Sequence, residues 1–153
     1  MPSTPARRPG RATGRNRCPW PRWRADPEQH DFPAAQSYLS LLATEAEAAA
    51  LVTALRAAGT VRSKAKDLLR ASALPLLATD NEHVRRDLEK VARGERLSPV
   101  LLVRGRLADR RPLTVADGYH RICAAYHLDE NADVPCRVVD LPGDAAPAAG
   151  TEP

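Results

Sequence analysis

Between Phe32 and Gly94 the apolar positions recur with a helical period, and between Pro99 and Val138 they fall into short continuous or alternating runs. The first stretch predicts helices and the second strands, because side chains share a face every three to four residues in a helix and every two in a strand. Tyr38, Leu39, Leu41 and Leu42 mark a first short helix. Thr44-Glu45-Ala46-Glu47 has the form of a capping box, in which the Thr hydroxyl and Glu carboxylate satisfy reciprocal backbone donors. The helix it opens carries Leu51, Val52 and Leu55 and stops at Gly59. Val61, Ala65, Leu68 and Leu69 at i, i+4, i+7 and i+8 predict a third helix, ended by Pro75. Residues 74–77 form a short apolar connection or edge strand. Thr79-Asp80-Asn81-Glu82 reads as a second capping box, opening a helix with Val84, Leu88 and Val91 on one face and Gly94 as its stop.

After Gly94 the period changes. Residues 99–103 are a continuous apolar run of strand length, followed by a charged turn from Gly105 to Pro112. Residues 113–116 predict a second strand, broken by Asp117-Gly118. Residues 119–128 predict a helix with Tyr119, Ile122, Cys123 and Tyr126 on one face, and Val134, Cys136 and Val138 alternate as a third strand.

Composition alters this picture mainly at the ends. Residues 1–25 carry seven arginines and no acid, which leaves 16 basic against 19 acidic residues in the remainder. The net charge of +4 is therefore a property of the N-terminal segment, and the folded part is mildly acidic. Residues 1–27, rich in Pro, Arg, Gly and Thr, lack a hydrophobic period and predict a disordered basic tail. Residues 143–153 predict a second tail, so one domain is expected over residues 28–142. Trp20 and Trp23 among the arginines of residues 7–24 make nucleic acid a candidate partner of the tail, by stacking and charge. No apolar run approaches the ~18 residues that span a bilayer. Cys18, Cys123 and Cys136 are odd in number and lack CxxC spacing, which suits a reduced, cytoplasmic protein with neither disulfides nor a zinc site. Cys123 and Cys136 are expected to act as small hydrophobes. Lys64, Lys66 and Arg70 read as a solvated helix face, and His30, His83 and His127 as structural or surface residues.

The run Asp117-Gly118-Tyr119-His120-Arg121 is the candidate site. A glycine directly after a strand permits a sharp turn and close approach of a ligand. The first turn of the next helix presents unpaired N–H groups and the positive end of the helix dipole. Cations are not favoured there, so His120 and Arg121 point to an anion nearby. The same five residues also suit an ordinary cap: Asp117 capping, Gly118 turning, and His120 and Arg121 solvated.

Residues 74–142 resemble the ParB/sulfiredoxin-like superfamily. The core runs from Ser98 to Pro142, SPVLLVRG…PLTVADGYHRICAAYHLDENADVPCRVVDLP. In that superfamily a P-I-x-V strand precedes a G-x-[HR]-R-x-x-A-A helix and a V/I-P-x-x-V strand, and the parts here are residues 99–103, 118–125 and 134–138. The resemblance implies an α+β fold: a small mixed β-sheet with packed helices, here preceded by a helical segment with no counterpart in the family. It implies a nucleotide or phosphate ligand, ATP or CTP with Mg²⁺, bound at Gly118, Tyr119, His120 and Arg121. Asp117-Gly118 is similar to the D-G-H-x-R form of ParB-like kinases that phosphorylate free serine. The nucleophilic Cys of sulfiredoxins is replaced by Tyr119, whose phenol does not attack oxidised cysteine as a thiolate does, so that reaction is not expected.

The expected function is nucleotide or phosphate binding with phosphoryl-transfer or hydrolase activity, Asp117 and Glu82 being the candidates for base or metal ligand. Glu82 also has the plainer reading of a capping-box carboxylate. The alternatives are a ParB-like nuclease, disfavoured by the acidic core, and a non-catalytic, DNA-associated binding module.

Overall fold

The computed structural model describes residues 20–144. In chain order these residues form β1 (Arg22–Trp23), α1 (Asp31–Leu39), α2 (Glu45–Ala57), β2 (Val61–Lys64), α3 (Ala65–Ser72) and α4 (Glu82–Ala92). There follow β3 (Arg96–Leu97), β4 (Val100–Val103), a 3-10 turn (Leu107–Asp109), β5 (Thr114–Asp117), α5 (Tyr119–Leu128) and β6 (Asp133–Val139). The chain is thus a mixed α and β structure with a small mixed sheet. Strand order is β2-β6-β4-β5, with β4 and β6 parallel and both outer pairs antiparallel.

β4 explains the layering. All four of its residues are buried, because helices cover both sheet faces and a strand buried twice reads as an unbroken apolar run. Val100 and Leu102 join Leu68, Leu69, Val84, Ile122 and Val134 in one core beneath α3, α4 and α5. Leu101 and Val103 point the other way, into a second core with Phe32, Ala35, Leu51, Val52 and Leu55 of α1 and α2. Of the helical N-terminal half, α1 and α2 are therefore the second cover of the sheet, while α3 packs on the first face. Cys123 and Cys136 are fully buried and reduced, filling space as small hydrophobes do; Cys18 lies outside the described residues.

Several elements differ from the sequence pattern, each for a local reason. Val61 does not start the third helix: Val61–Lys64 is an edge strand paired with residues 133–136 of β6, and Val61 is exposed. α3 begins at Ala65, where the Ala65 and Lys66 N–H groups donate to the carbonyls of Ala132 and Glu130. Val61 fell on the helical spacing by coincidence. In α1 the buried apolar residues are Phe32, Ala35 and Leu39, while Tyr38, Leu41 and Leu42 are exposed, the last two beyond the helix end. The Thr44 capping box is present, with Glu47 N–H donating to Thr44 Oγ1 at 3.1 Å and Thr44 N–H to Glu47 Oε1 at 2.8 Å. At α4 the cap is Asn81 rather than Thr79: Asn81 Oδ1 accepts from His83 and Val84 N–H, leaving Glu82 free of any capping role. Residues 74–77 form no strand.

Residues 20–27, expected to belong to an N-terminal tail, are part of the fold. β1 pairs in parallel with β3, Arg24 N–H donates to Leu97 O, and Trp23 packs against the larger core. Asp26 ion-pairs with the buried Arg137 at 2.8 Å. A composition that looks disordered contains enough pairing and packing near its end to be held. Residues 1–19 and 145–153, most of the two predicted tails, lie outside the described residues. Among the described residues no helix is long and apolar enough to cross a membrane.

Candidate functional site

β5 delivers Asp117 to the end of the sheet, and Gly118 turns the chain into α5 with φ of +114°. That angle is in the left-handed region that glycine enters without strain. Glycine is required for a second reason, since a Cβ at this position would lie 2.4 Å from Val100 Cγ1 and 3.0 Å from Arg121 Nη2. The N-terminus of α5 is pressed against β4, and only hydrogen fits between them. No side chain caps α5, so the N–H groups of its first turn remain available to a ligand.

Two side chains of that turn face α4. Arg121 donates from Nη2 to Asp117 Oδ2 at 2.8 Å, and the pair is largely screened from solvent. The His120 ring lies against that of His83, centroids 4.7 Å apart and tilted by 46°. His83, Asp87 and Lys90 on α4, with the neighbouring Arg86, complete a cleft of about 230 Å³ whose other walls are Asp117, Gly118, His120 and Arg121.

Charge in the cleft is unevenly compensated. Arg86, Lys90 and Arg121 supply fixed positive charge, and Asp87 and Asp117 negative. Burial pushes the Asp117 carboxyl above its ordinary value, against the opposing pull of the Arg121 charge and hydrogen bond. Burial also pushes Asp87 up, although Arg121, Lys90, His120 and His83 all favour its charged form. Unlike Asp117, Asp87 makes no ion pair and no hydrogen bond with any described residue. His120 is held below the usual imidazole range, first by burial and then by the neighbouring His83.

The structure therefore brings together Asp117, Gly118, His120 and Arg121, and places two other sequence candidates elsewhere. Tyr119 turns away from the cleft, packs on the core and donates its hydroxyl to Pro75 O, tying α5 to the connection after α3. Glu82 stands at the exposed start of α4, ion-paired with Arg86 at 3.3 Å, and does not line the cleft. Conversely, His83 belongs to the site although its spacing marked it as a surface residue. Asp87 and Lys90 were not singled out at all. A signal existed: His83, Asp87 and Lys90 recur at i, i+4 and i+7, a polar stripe beside the apolar one of Val84, Leu88 and Val91. The stripe belongs to the site because α5 lies along it.

A second cluster sits at the start of α1, where ligand atoms of Glu28, His30 and Asp31 lie within 4.8 Å of one another. Its geometry is already explained by internal pairing. His30 Nε2 lies 3.1 Å from Glu28 Oε2 and 3.4 Å from Asp31 Oδ1, and Asp31 Oδ2 accepts from the Glu28 N–H. His127, also read as structural, bonds through Nε2 with Leu77 O.

Comparison with known proteins finds no matching family model, no matching curated protein and no matching solved structure.

Proposed function

We propose that this chain is a ParB/sulfiredoxin-like protein that binds a phosphate group, most simply that of a nucleotide, in the cleft between α4 and the first turn of α5. The observation that carries this reading is the convergence of Arg86, Lys90, His120 and Arg121 on the uncapped, glycine-initiated end of α5. Backbone donors, the helix dipole and four side chains able to carry positive charge then act on the same volume. The fold assignment is supported by the order of β4, β5, Gly118 turn, α5 and β6, which follows the motif order of that superfamily.

Size narrows the ligand. A cleft of about 230 Å³ falls below the ~300–1,000 Å³ of sites that enclose a drug-sized molecule. It suits a phosphate or short phosphate chain, with a nucleoside lying outside it. The donor set does not suit Mg²⁺. Of the two cleft carboxylates, Asp117 is held by Arg121, and Arg86, Lys90 and Arg121 surround Asp87 with positive charge. Neutralisation of the phosphate is accordingly assigned to protein cations. Phosphoryl transfer or hydrolysis would rest on this positioning, with Asp87 and Asp117 as the carboxylates within reach of the bound group.

Thermal unfolding with inorganic phosphate, pyrophosphate, ATP and CTP tests the reading, on wild type and on the Arg86→Ala/Lys90→Ala variant. A ligand present at 100 times its dissociation constant should stabilise the wild type by about 2.7 kcal/mol. The variant, whose substitutions lie on the surface of α4, should keep its own stability and bind at least about tenfold more weakly. Absence of a shift with every anion rejects phosphate binding, and an equal shift in the variant moves the site away from the cleft.

A further inference from the structure

A half-buried carboxylate without a partner, set among cations that attract an anionic ligand, is a contradiction if the ligand is a bare phosphate. Arg86, Lys90, His120 and Arg121 would draw the phosphate in, and the charge of Asp87 would oppose its last approach. Asp117 presents no such difficulty, because Arg121 already occupies one of its oxygens at 2.8 Å. The contradiction disappears if the ligand brings a donor with it. A hydroxyl or ammonium beside the phosphate would turn the repulsion into a charge-assisted hydrogen bond.

We propose that Asp87 makes the cleft selective for phosphate monoesters that carry a hydrogen-bond donor, hydroxyl or ammonium, on the carbon chain next to the phosphate. This rests on the phosphate-binding reading above and adds the chemical class of the ester. The arrangement is two-sided. On α4 lie Arg86, Asp87 and Lys90, and across the cleft lies the first turn of α5; the cations and free N–H groups would take the phosphate oxygens, and Asp87 the donor. Asp87 is the carboxylate left open for it, since among the described residues nothing hydrogen-bonds or ion-pairs with it. Burial pushes the Asp87 carboxyl up against the pull of Arg121, Lys90, His120 and His83, and its oxygens remain the acceptors that the donor would meet. A divalent cation is the other partner a free carboxylate accepts, but it would enter against the three fixed positive charges of the cleft.

The test uses three esters of matched size, ethyl, hydroxyethyl and aminoethyl phosphate, titrated calorimetrically in EDTA against the full chain. Wild type is expected to bind the hydroxyethyl and aminoethyl esters about tenfold tighter than the ethyl ester. Asp87→Ala should bind ethyl phosphate more tightly than wild type does, and the preference for a donor should vanish. Asp87→Asn, which keeps the volume and removes the charge, should do the same, and circular dichroism would establish that both variants fold. Equal affinity of wild type for the three esters would overturn the proposal. So would a proportionate loss of all three in Asp87→Ala, or a preference that appears only when Mg²⁺ replaces EDTA. If no ester binds to wild type or to either variant, the phosphate-binding reading itself falls, and the selectivity of Asp87 with it.

Discussion

The two faces of the sheet treat buried charge in opposite ways. On the α1/α2 face Arg137 of β6 is buried, and both terminal nitrogens of its guanidinium are held by the structure, Nε alone having no partner among the described residues. Nη1 donates to the carbonyls of Leu55 and Arg56 at the end of α2, and Nη2 to Asp26 Oδ1 at 2.8 Å. These carbonyls have no partner within their own helix, so one side chain terminates α2 and ties residues 20–27 to the sheet. On the α4/α5 face the charges converge but are not closed. Among the described residues Asp87 has no partner and no side chain caps α5, and the His83–His120 pair lies side by side. Charge that holds a fold is satisfied internally, because an unpaired buried group costs free energy. Charge at the cleft is only partly screened from solvent and lacks that closure.

The comparison can be broken most forcefully at Gly118, where the two roles meet. Gly118→Ala should cost about 4 kcal/mol, combining a positive φ with a Cβ forced into Val100. It should also displace the first turn of α5 and abolish anion binding. Urea unfolding and phosphate titration measure the two effects. A stable variant with normal affinity would mean that α5 can retreat from β4 without harm, contrary to the close contact described.

Arg137→Met should come next. It leaves the α2 carbonyls and Asp26 without their donor, for a loss of about 3 kcal/mol in urea unfolding. Anion affinity should be unchanged, because that charge belongs to the closed face. A change in affinity at constant fold would show that the faces are coupled.

The smallest effect concerns pH and sharpens the open side. The native value of His120 lies below the ordinary 6.5, so the native state takes up this proton less readily than the unfolded chain. Its contribution to stability is intact above the ordinary value and is lost as pH falls from there toward the depressed one. In His120→Gln the denaturation midpoint should fall less between neutral and mildly acid pH than in wild type. Bound anion favours the imidazolium, so sulfate, whose own charge is constant in this range, should bind more tightly to wild type as pH falls through the same window. A pH-independent sulfate affinity would remove His120 from the anion contacts.

Local chemistry made a good part of this legible in advance. The Thr44 capping box, the stop at Gly94, the strands β4 to β6 and the turn at Gly118 depend on residues within a few positions of one another; the Asp117–Arg121 pair is equally local, although from sequence Asp117 reads as a cap, base or metal ligand. Misreadings arose where a neighbour distant in sequence decided the outcome. Val61 became a strand because β6 offered it an edge, and residues 22–27 are ordered because Leu97 and Arg137 receive them. Tyr119 lies inside the motif and Glu82 in the helix-opening pattern of residues 79–82, yet helix direction sends Glu82 to the exposed start of α4 and Tyr119 to the Pro75 carbonyl.

The sequence by itself determined where the last strands lie and where the turn at Gly118 starts a helix, since these follow from backbone geometry and side-chain period. Tertiary structure alone decided that α1 and α2 cover the second face, and that α4 lays His83, Arg86, Asp87 and Lys90 beside that helix end. Helix-to-helix placement depends on packing across 30 residues or more of chain, and no local periodicity records which polar stripe will face which.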